Sequence, residues 1–227
     1  MRYKLAIIAT HPIQYQVPVW KHLAQQPDLD IHVYYGSDFS VRGYMDSGFS
    51  VPVKWDVPLT EGYSCTFLSK DPSSKGTDNS FSLRTRGLRT ELEQFRPHVA
   101  LINAYSPFFW WKVAGILYSM HIPIILRAET TDVSKDRHII KKIIRSTLLR
   151  YFYHHIAYFL AIGQNSRNHY LDNGIVEGRI GWSPYCVDTE IFASQASEYL
   201  PQRAQLRQEL GFNEDQTVFL FSGKLFE

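Results

Sequence analysis

The residues best able to do chemistry stand in four short segments, each directly after a run of apolar, β-branched or aromatic residues. THPIQYQVP, from Thr10 to Pro18, follows LAIIAT. Backbone N–H groups at a helix start there can hold a phosphate beside Thr10, while His11 and Gln14 can donate to a hydroxyl or an oxyanion. His11 can equally serve as a local capping group. NAYSPFFWW follows HVALI and offers Asn103, Tyr105 and Ser106 at a strand end, with Phe108, Phe109, Trp110 and Trp111 opening a helix. Such aromatics fill a core, stack on sugar rings or shelter lipid chains.

LRAETTD sends Arg127, Glu129 and Asp132 out of the apolar run PIIL. A charge leaving a core strand needs a partner or a ligand, because an isolated buried charge is strongly disfavoured. As alternating residues of an extended chain, Arg127 and Glu129 share a side. Glu129 can accept the proton of an acceptor hydroxyl or orient it; an internal ion pair that fixes the loop is the other use. The fourth segment, AIGQNSRNHYLDNG, offers Gln164 and Asn165 where strand gives way to helix. Asn165 or Ser166 can act there as an N-cap with no ligand involved, and Gly174 ends the helix.

Several chemistries lack a motif. Neither GxGxxG nor GKS/T follows the first strand, and HExxH, HxxEH and GxSxG are absent. His154 and His155 are adjacent, so they diverge on a helix and have no spaced carboxylate to complete a metal site. The two cysteines, Cys65 and Cys186, form no CxxC pair and no disulfide framework, which fits a reducing, cytoplasmic setting. Lys and Arg number 24 against 22 Asp and Glu, a balance that argues against a nucleic-acid binder. No run approaches the roughly 20 apolar residues of a membrane span.

These segments need a scaffold that brings strand ends together. Apolar runs at 5–10, 31–35, 98–104, 123–128 and 157–163 alternate with helical periods at 15–26, 108–120, 135–155 and 166–173, and a short strand is expected at 179–182. That alternation predicts an α/β fold, a parallel sheet with helices on both faces. In such a sheet ligands bind beyond the carboxyl ends of the strands. Residues 36–80 are rich in Gly, Ser, Asp and Pro and read as a long irregular loop with an edge strand at Cys65 to Leu68. The helix KDRHIIKKIIRSTLLR sets Lys135, His138, Lys141, Lys142 and Arg145 opposite an apolar side, a pattern of a core helix with a solvated back or of peripheral contact with anionic lipid.

The tail gives the expected boundaries: an N-terminal domain over 1–191, a polar linker and short helix over 192–215, and over 216–227 the first strand of a second domain cut off where it begins. A parallel strand needs a crossover helix and neighbours.

The run AIGQNSRNHYLDNGIVEGRIGWSPYCVDTEIF resembles the family 4 retaining glycosyltransferases, whose two Rossmann-like domains form the GT-B architecture. Ser183-Pro184-Tyr185-Cys186-Val187-Asp188 stands where that family has proline-asparagine-glycine-valine-aspartate, with Tyr185 and Cys186 in place of asparagine and glycine. THPIQY and VKWDVPLTEGY resemble a subgroup found in bacterial polysaccharide clusters, and FSGKLFE resembles the first strand of the donor domain. The resemblance implies an acceptor-side Rossmann-like domain and transfer of a sugar from a nucleotide-diphosphate sugar to a glycan or lipid-linked hydroxyl. No cofactor or bound metal is implied, and Gly223 and Lys224 would begin a clamp on the donor phosphates. The family's histidine after the strand PIILRA is Glu129 here. Negligible transfer by these 227 residues alone is expected, with a location in the cytoplasm or at the inner face of the membrane. The rivals are a nucleotide-sugar epimerase on the same architecture, which needs no acceptor, and a non-catalytic interaction or membrane-docking domain.

Overall fold

The computed structural model describes residues 2–46, 51–55, 57–69, 83, 85–106, 108–130 and 139–221, without the side chains of 46 and 139–143. The elements run β1 (Tyr3–Ala9), α1 (Val17–Ala24), β2 (Leu29–Tyr35), α2 (Phe39–Arg42), β3 (Tyr44–Asp46), β4 (Val51–Val53), β5 (Cys65–Phe67), α3 (Leu88–Phe95), β6 (Val99–Ile102) and α4 (Phe109–Ser119). They continue with β7 (Ile124–Arg127), α5 (Ile139–His154), β8 (Tyr158–Ala161), α6 (Gln164–Asp172), β9 (Ile180–Trp182), α7 (Thr189–Tyr199) and α8 (Arg203–Glu209).

Seven strands form one parallel sheet in the order β5-β2-β1-β6-β7-β8-β9. The chain therefore builds outward from β1 in one direction and from β6 in the other, and the order reverses between those two strands. A crevice opens at the strand carboxyl ends of such a switch point.

Central strands covered on both faces must be apolar throughout, which is why LAIIA and VALI carry no alternation. Ala6, Ile8, Tyr34, Ala100, Ile102, Leu126 and Phe159 point to one face, where α3, α4, α5 and α6 bury Leu92, Phe109, Val113, Leu117, Phe152 and Tyr170 against them. Ile7, Ala9, Ile31, Val33, Tyr35 and Leu101 point to the other, under Trp20 of α1. The fold is Rossmann-like, as the alternation of periods predicts. Phe109 and Trp110 belong to the core, whereas Phe108 is 53 % exposed.

Three parts differ from the sequence reading. The stretch 36–80 holds the short helix α2 and the antiparallel hairpin β3–β4 besides the edge strand β5; those pieces are three or four residues long, below what periodicity detects. The expected linker is largely helical, because Asp188 caps α7 by accepting from the backbone N–H groups of Glu190 and Ile191. Residues 217–221 form no strand, and Phe219, Leu220 and Phe221 stand exposed there without a neighbouring strand to pair with among the described residues. Gly223 and Lys224 lie outside the described residues.

Candidate active site

At the switch point a cleft of about 280 Å³ opens between the ends of β1, β6 and β7 and the segment after β9. Thr10, Tyr15, Gln16, Asn103, Arg127, Glu129 and Tyr185 are among its lining residues. Gln16 comes from the turn before α1, where Pro18 in the first helical turn fixes the helix start. Only 8 % of Gln16 is exposed, and its Oε1 accepts from Asn103 Nδ2 at 3.2 Å. Asn103 Oδ1 is buried with no partner. A buried acceptor left unpaired costs about 1–3 kcal/mol.

Arg127 and Glu129 are joined through Tyr185 instead of pairing with each other. The Tyr185 hydroxyl donates to Glu129 Oε2 at 2.9 Å, and the Arg127 guanidinium lies 4.9 Å from the same ring's centroid. Arg127 Nε also donates to Ser183 Oγ at 2.9 Å and Ser183 O at 3.2 Å, and Nη2 donates to Pro184 O at 3.3 Å. The end of β7 thus ties down the segment that leaves β9, and this tether fixes Tyr185 over the cleft. Tyr15 packs edge-on against Tyr185 with ring centroids 5.2 Å apart. Burial, and then the bond to Glu129, raise the Tyr185 pKa well above its ordinary value, so the phenol stays a donor at neutral pH.

His11 takes a different place. Its ring packs on Phe39 with centroids 4.5 Å apart, its Nδ1 shares a 3.0 Å hydrogen bond with Thr10 Oγ1, and burial lowers its pKa to about 4. A neutral imidazole at pH 7 cannot offer positive charge to an oxyanion. Gln14 is exposed and borders a separate groove with Pro58, Val187 and Phe192.

Tyr105 lies outside the cleft lining, where its hydroxyl shares a 3.1 Å bond with the buried Thr130 and accepts from Arg145 at 2.9 Å. It borders an adjoining groove with Phe108, Trp111, Ile144 and Leu148. Arg145, on the proposed basic face of α5, is thus turned to this groove; Lys135, His138 and the side chains of Lys141 and Lys142 lie outside the described residues, as does Asp132. Gln164 donates to Asn168 on its own helix at 2.7 Å, and Asn165 is exposed. The helix begins two residues earlier than an Asn165 cap, and three earlier than a Ser166 cap, would place it: Gly163 is the N-cap, and Ser166 in the first turn accepts from the backbone N–H of Gly163 at 3.1 Å and Ile162 at 2.9 Å.

The structure therefore brings Thr10, Asn103, Arg127 and Glu129 together and adds Tyr15, Gln16 and Tyr185. Gln16 was missed, although Pro18 marks the helix start and leaves Gln16 in the turn facing the next strand end. Tyr185 carried no such signal, because its partners are 56 residues or more away in the chain. Among the described residues no three His, Cys, Asp or Glu side chains cluster as a metal site, and no helix is long and apolar enough to cross a membrane.

No protein-family profile matches the chain, and no curated protein matches it. Solved structures do share its fold. A UDP-GlcNAc 2-epimerase from Neisseria meningitidis, bound to UDP-GlcNAc, superposes with a TM-score of 0.55 at 17 % identity over 94 % of this chain and 55 % of its own. Another UDP-N-acetylglucosamine 2-epimerase gives 0.52 at 10 % identity, covering 82 % of this chain and 49 % of its own. The UDP-N-acetylglucosamine 2-epimerase from Rickettsia bellii gives 0.51 at 13 % identity, covering 94 % and 52 %. The chain spans about half the length of these proteins. At such identities the likeness establishes the Rossmann-like fold.

Proposed function

We propose that the chain forms one wall of the active site of a GT-B-type enzyme acting on a nucleoside-diphosphate sugar, with a second Rossmann-like domain as the opposite wall. The observation that carries this reading is the cleft at the switch point, where Glu129 and the Gln16–Asn103 amides meet. Amides and a carboxylate suit a polyhydroxylated ligand, because each sugar hydroxyl both donates and accepts.

Two reactions fit. In epimerisation a proton leaves one sugar carbon and returns to its opposite face, with no acceptor. In retaining transfer an acceptor O–H gives up its proton, a new C–O bond forms, and the bond to the nucleoside diphosphate breaks. Glu129 is the group placed to take a proton in either. The fold neighbours, UDP-GlcNAc 2-epimerases, favour epimerisation; the resemblance of 183–188 to the transferase signature favours transfer to a glycan or lipid-linked hydroxyl.

Proton NMR in D2O decides between them with UDP-GlcNAc as substrate and the gene product that carries this chain as enzyme. Epimerisation exchanges the C2 proton for deuterium and yields a second nucleotide sugar without an acceptor. Transfer releases UDP only when a saccharide or lipid-linked acceptor is present. Absence of both, with no binding of any nucleotide sugar, would remove the catalytic reading in favour of an interaction domain.

A further inference from the structure

We propose that the cleft is a subsite for a single hexopyranose ring, seated against Tyr15 and Tyr185 with its hydroxyls read by Gln16 and Asn103. This rests on the nucleoside-diphosphate-sugar reading and states which part of a substrate this wall holds.

Size is the first argument. The cleft holds about 280 Å³, just below the roughly 300–1,000 Å³ of sites that enclose drug-sized ligands. That space is of the size of one sugar ring, with the nucleotide left to the opposite wall.

Polarity is the second. Asn103 Nδ2 donates to Gln16 Oε1, which leaves Asn103 Oδ1 as an unmet acceptor beside the amide N–H groups of the pair. Exchanging oxygen and nitrogen in both amides swaps the roles but again leaves one acceptor and one donor. The pair is therefore complementary to a hydroxyl, or to two vicinal hydroxyls, in either assignment.

The aromatic wall is the third. Tyr15 is 39 % and Tyr185 44 % exposed although both line the cleft. Their edge-on packing, the Arg127 guanidinium over Tyr185 and the bond to Glu129 hold them in place before any ligand arrives. The ring face of tyrosine is electron-rich, and the C–H groups on one face of a pyranose carry the complementary partial charge. Little side-chain entropy remains to be lost on binding.

The ring can belong to the nucleotide sugar or to a saccharide acceptor, and calorimetric or NMR titration separates the two. The ligands are methyl hexopyranosides, UDP-, GDP- and dTDP-hexoses, and the parent diphosphates. A hexose nucleotide that binds more tightly than its diphosphate assigns the donor ring; a methyl hexoside that binds on its own assigns an acceptor ring. In either case Gln16→Leu and Tyr185→Leu are expected to weaken the sugar-dependent binding about tenfold, equivalent to about 1.4 kcal/mol, and to leave diphosphate binding within twofold. Tyr185→Phe, which keeps the ring, is expected to retain most of the sugar affinity, with near-ultraviolet circular dichroism confirming that each variant folds. Sugar binding that is unchanged in folded Gln16→Leu and Tyr185→Leu overturns the subsite and leaves the nucleotide-sugar reading intact. Equal losses in Tyr185→Phe and Tyr185→Leu overturn the aromatic wall. Hexoside binding with no affinity for any nucleotide ligand overturns the nucleotide-sugar reading while the subsite stands, and no binding at all overturns both.

Discussion

Tyr185 donates its hydroxyl to Glu129 across 56 residues of chain, at 2.9 Å. That bond places the carboxylate at the cleft and makes the segment after β9 part of the site. Glu129→Gln keeps the side chain's size and its acceptor oxygen but removes the carboxylate proposed as the base. Turnover of a nucleoside-diphosphate sugar by the gene product is expected to fall about 10²–10⁴-fold, with ligand affinity within threefold, read by steady-state kinetics beside calorimetry. Equal losses in turnover and affinity would show a binding role instead.

Burial of His11 makes stability depend on pH. Its folded pKa, about 4, lies below the ordinary 6.5, so the unfolded chain takes up the proton first. The contribution is fully present above pH 6.5 and is lost as pH falls towards 4, by roughly 3 kcal/mol in all. Urea unfolding at pH 7 and pH 4.5 is expected to show a smaller loss in His11→Gln than in the wild type.

Gly36, which follows β2, sits where a Cβ would meet the buried Phe109 ring at 3.2 Å and Thr10 O at 3.3 Å. Gly36→Ala should cost about 1–3 kcal/mol by overpacking, because the Phe109 ring, 1 % exposed, has no room to yield. The same strain presses on Thr10, so sugar-dependent binding should weaken as well. Unfolding curves and titration of the folded variant check the two effects separately.

Tyr153 on α5 and His169 on α6 are both almost fully buried and share a 2.9 Å hydrogen bond. Tyr153→Phe removes the hydroxyl and leaves a polar ring nitrogen short of that partner, at a cost of about 1–3 kcal/mol. The change lies in the core behind the sheet, so binding by the folded variant should match the wild type.

The sheet was legible because its strands are continuous apolar runs and its helices keep their own period; LAIIA, VALI and PIIL needed no tertiary information. Thr10, Asn103, Arg127 and Glu129 were legible for a related reason, since each is the first polar residue past a buried strand or close to it. His11 and Gln14 share that loop yet face elsewhere. Phe39, which takes up the His11 ring, belongs to a helix of four residues with no period to read. An internal pair of Arg127 with Glu129 was one of the two uses that charge alone allowed, but aromatic stacking and the Ser183 and Pro184 oxygens satisfy the guanidinium from a segment far along the chain. Long-range satisfaction of this kind leaves no local pattern.

The central claim is that the switch-point cleft holds one hexose ring, either that of a nucleoside-diphosphate sugar or that of its saccharide acceptor. Its most direct test is a ¹⁵N-resolved NMR titration of the chain with UDP-, GDP- and dTDP-hexoses and with methyl hexopyranosides. The expected result is saturable shifts at Gln16, Asn103 and Tyr185 that the parent diphosphates do not reproduce. No shifts with any of these ligands, or shifts confined to the groove of Phe108 and Trp111, would contradict the account.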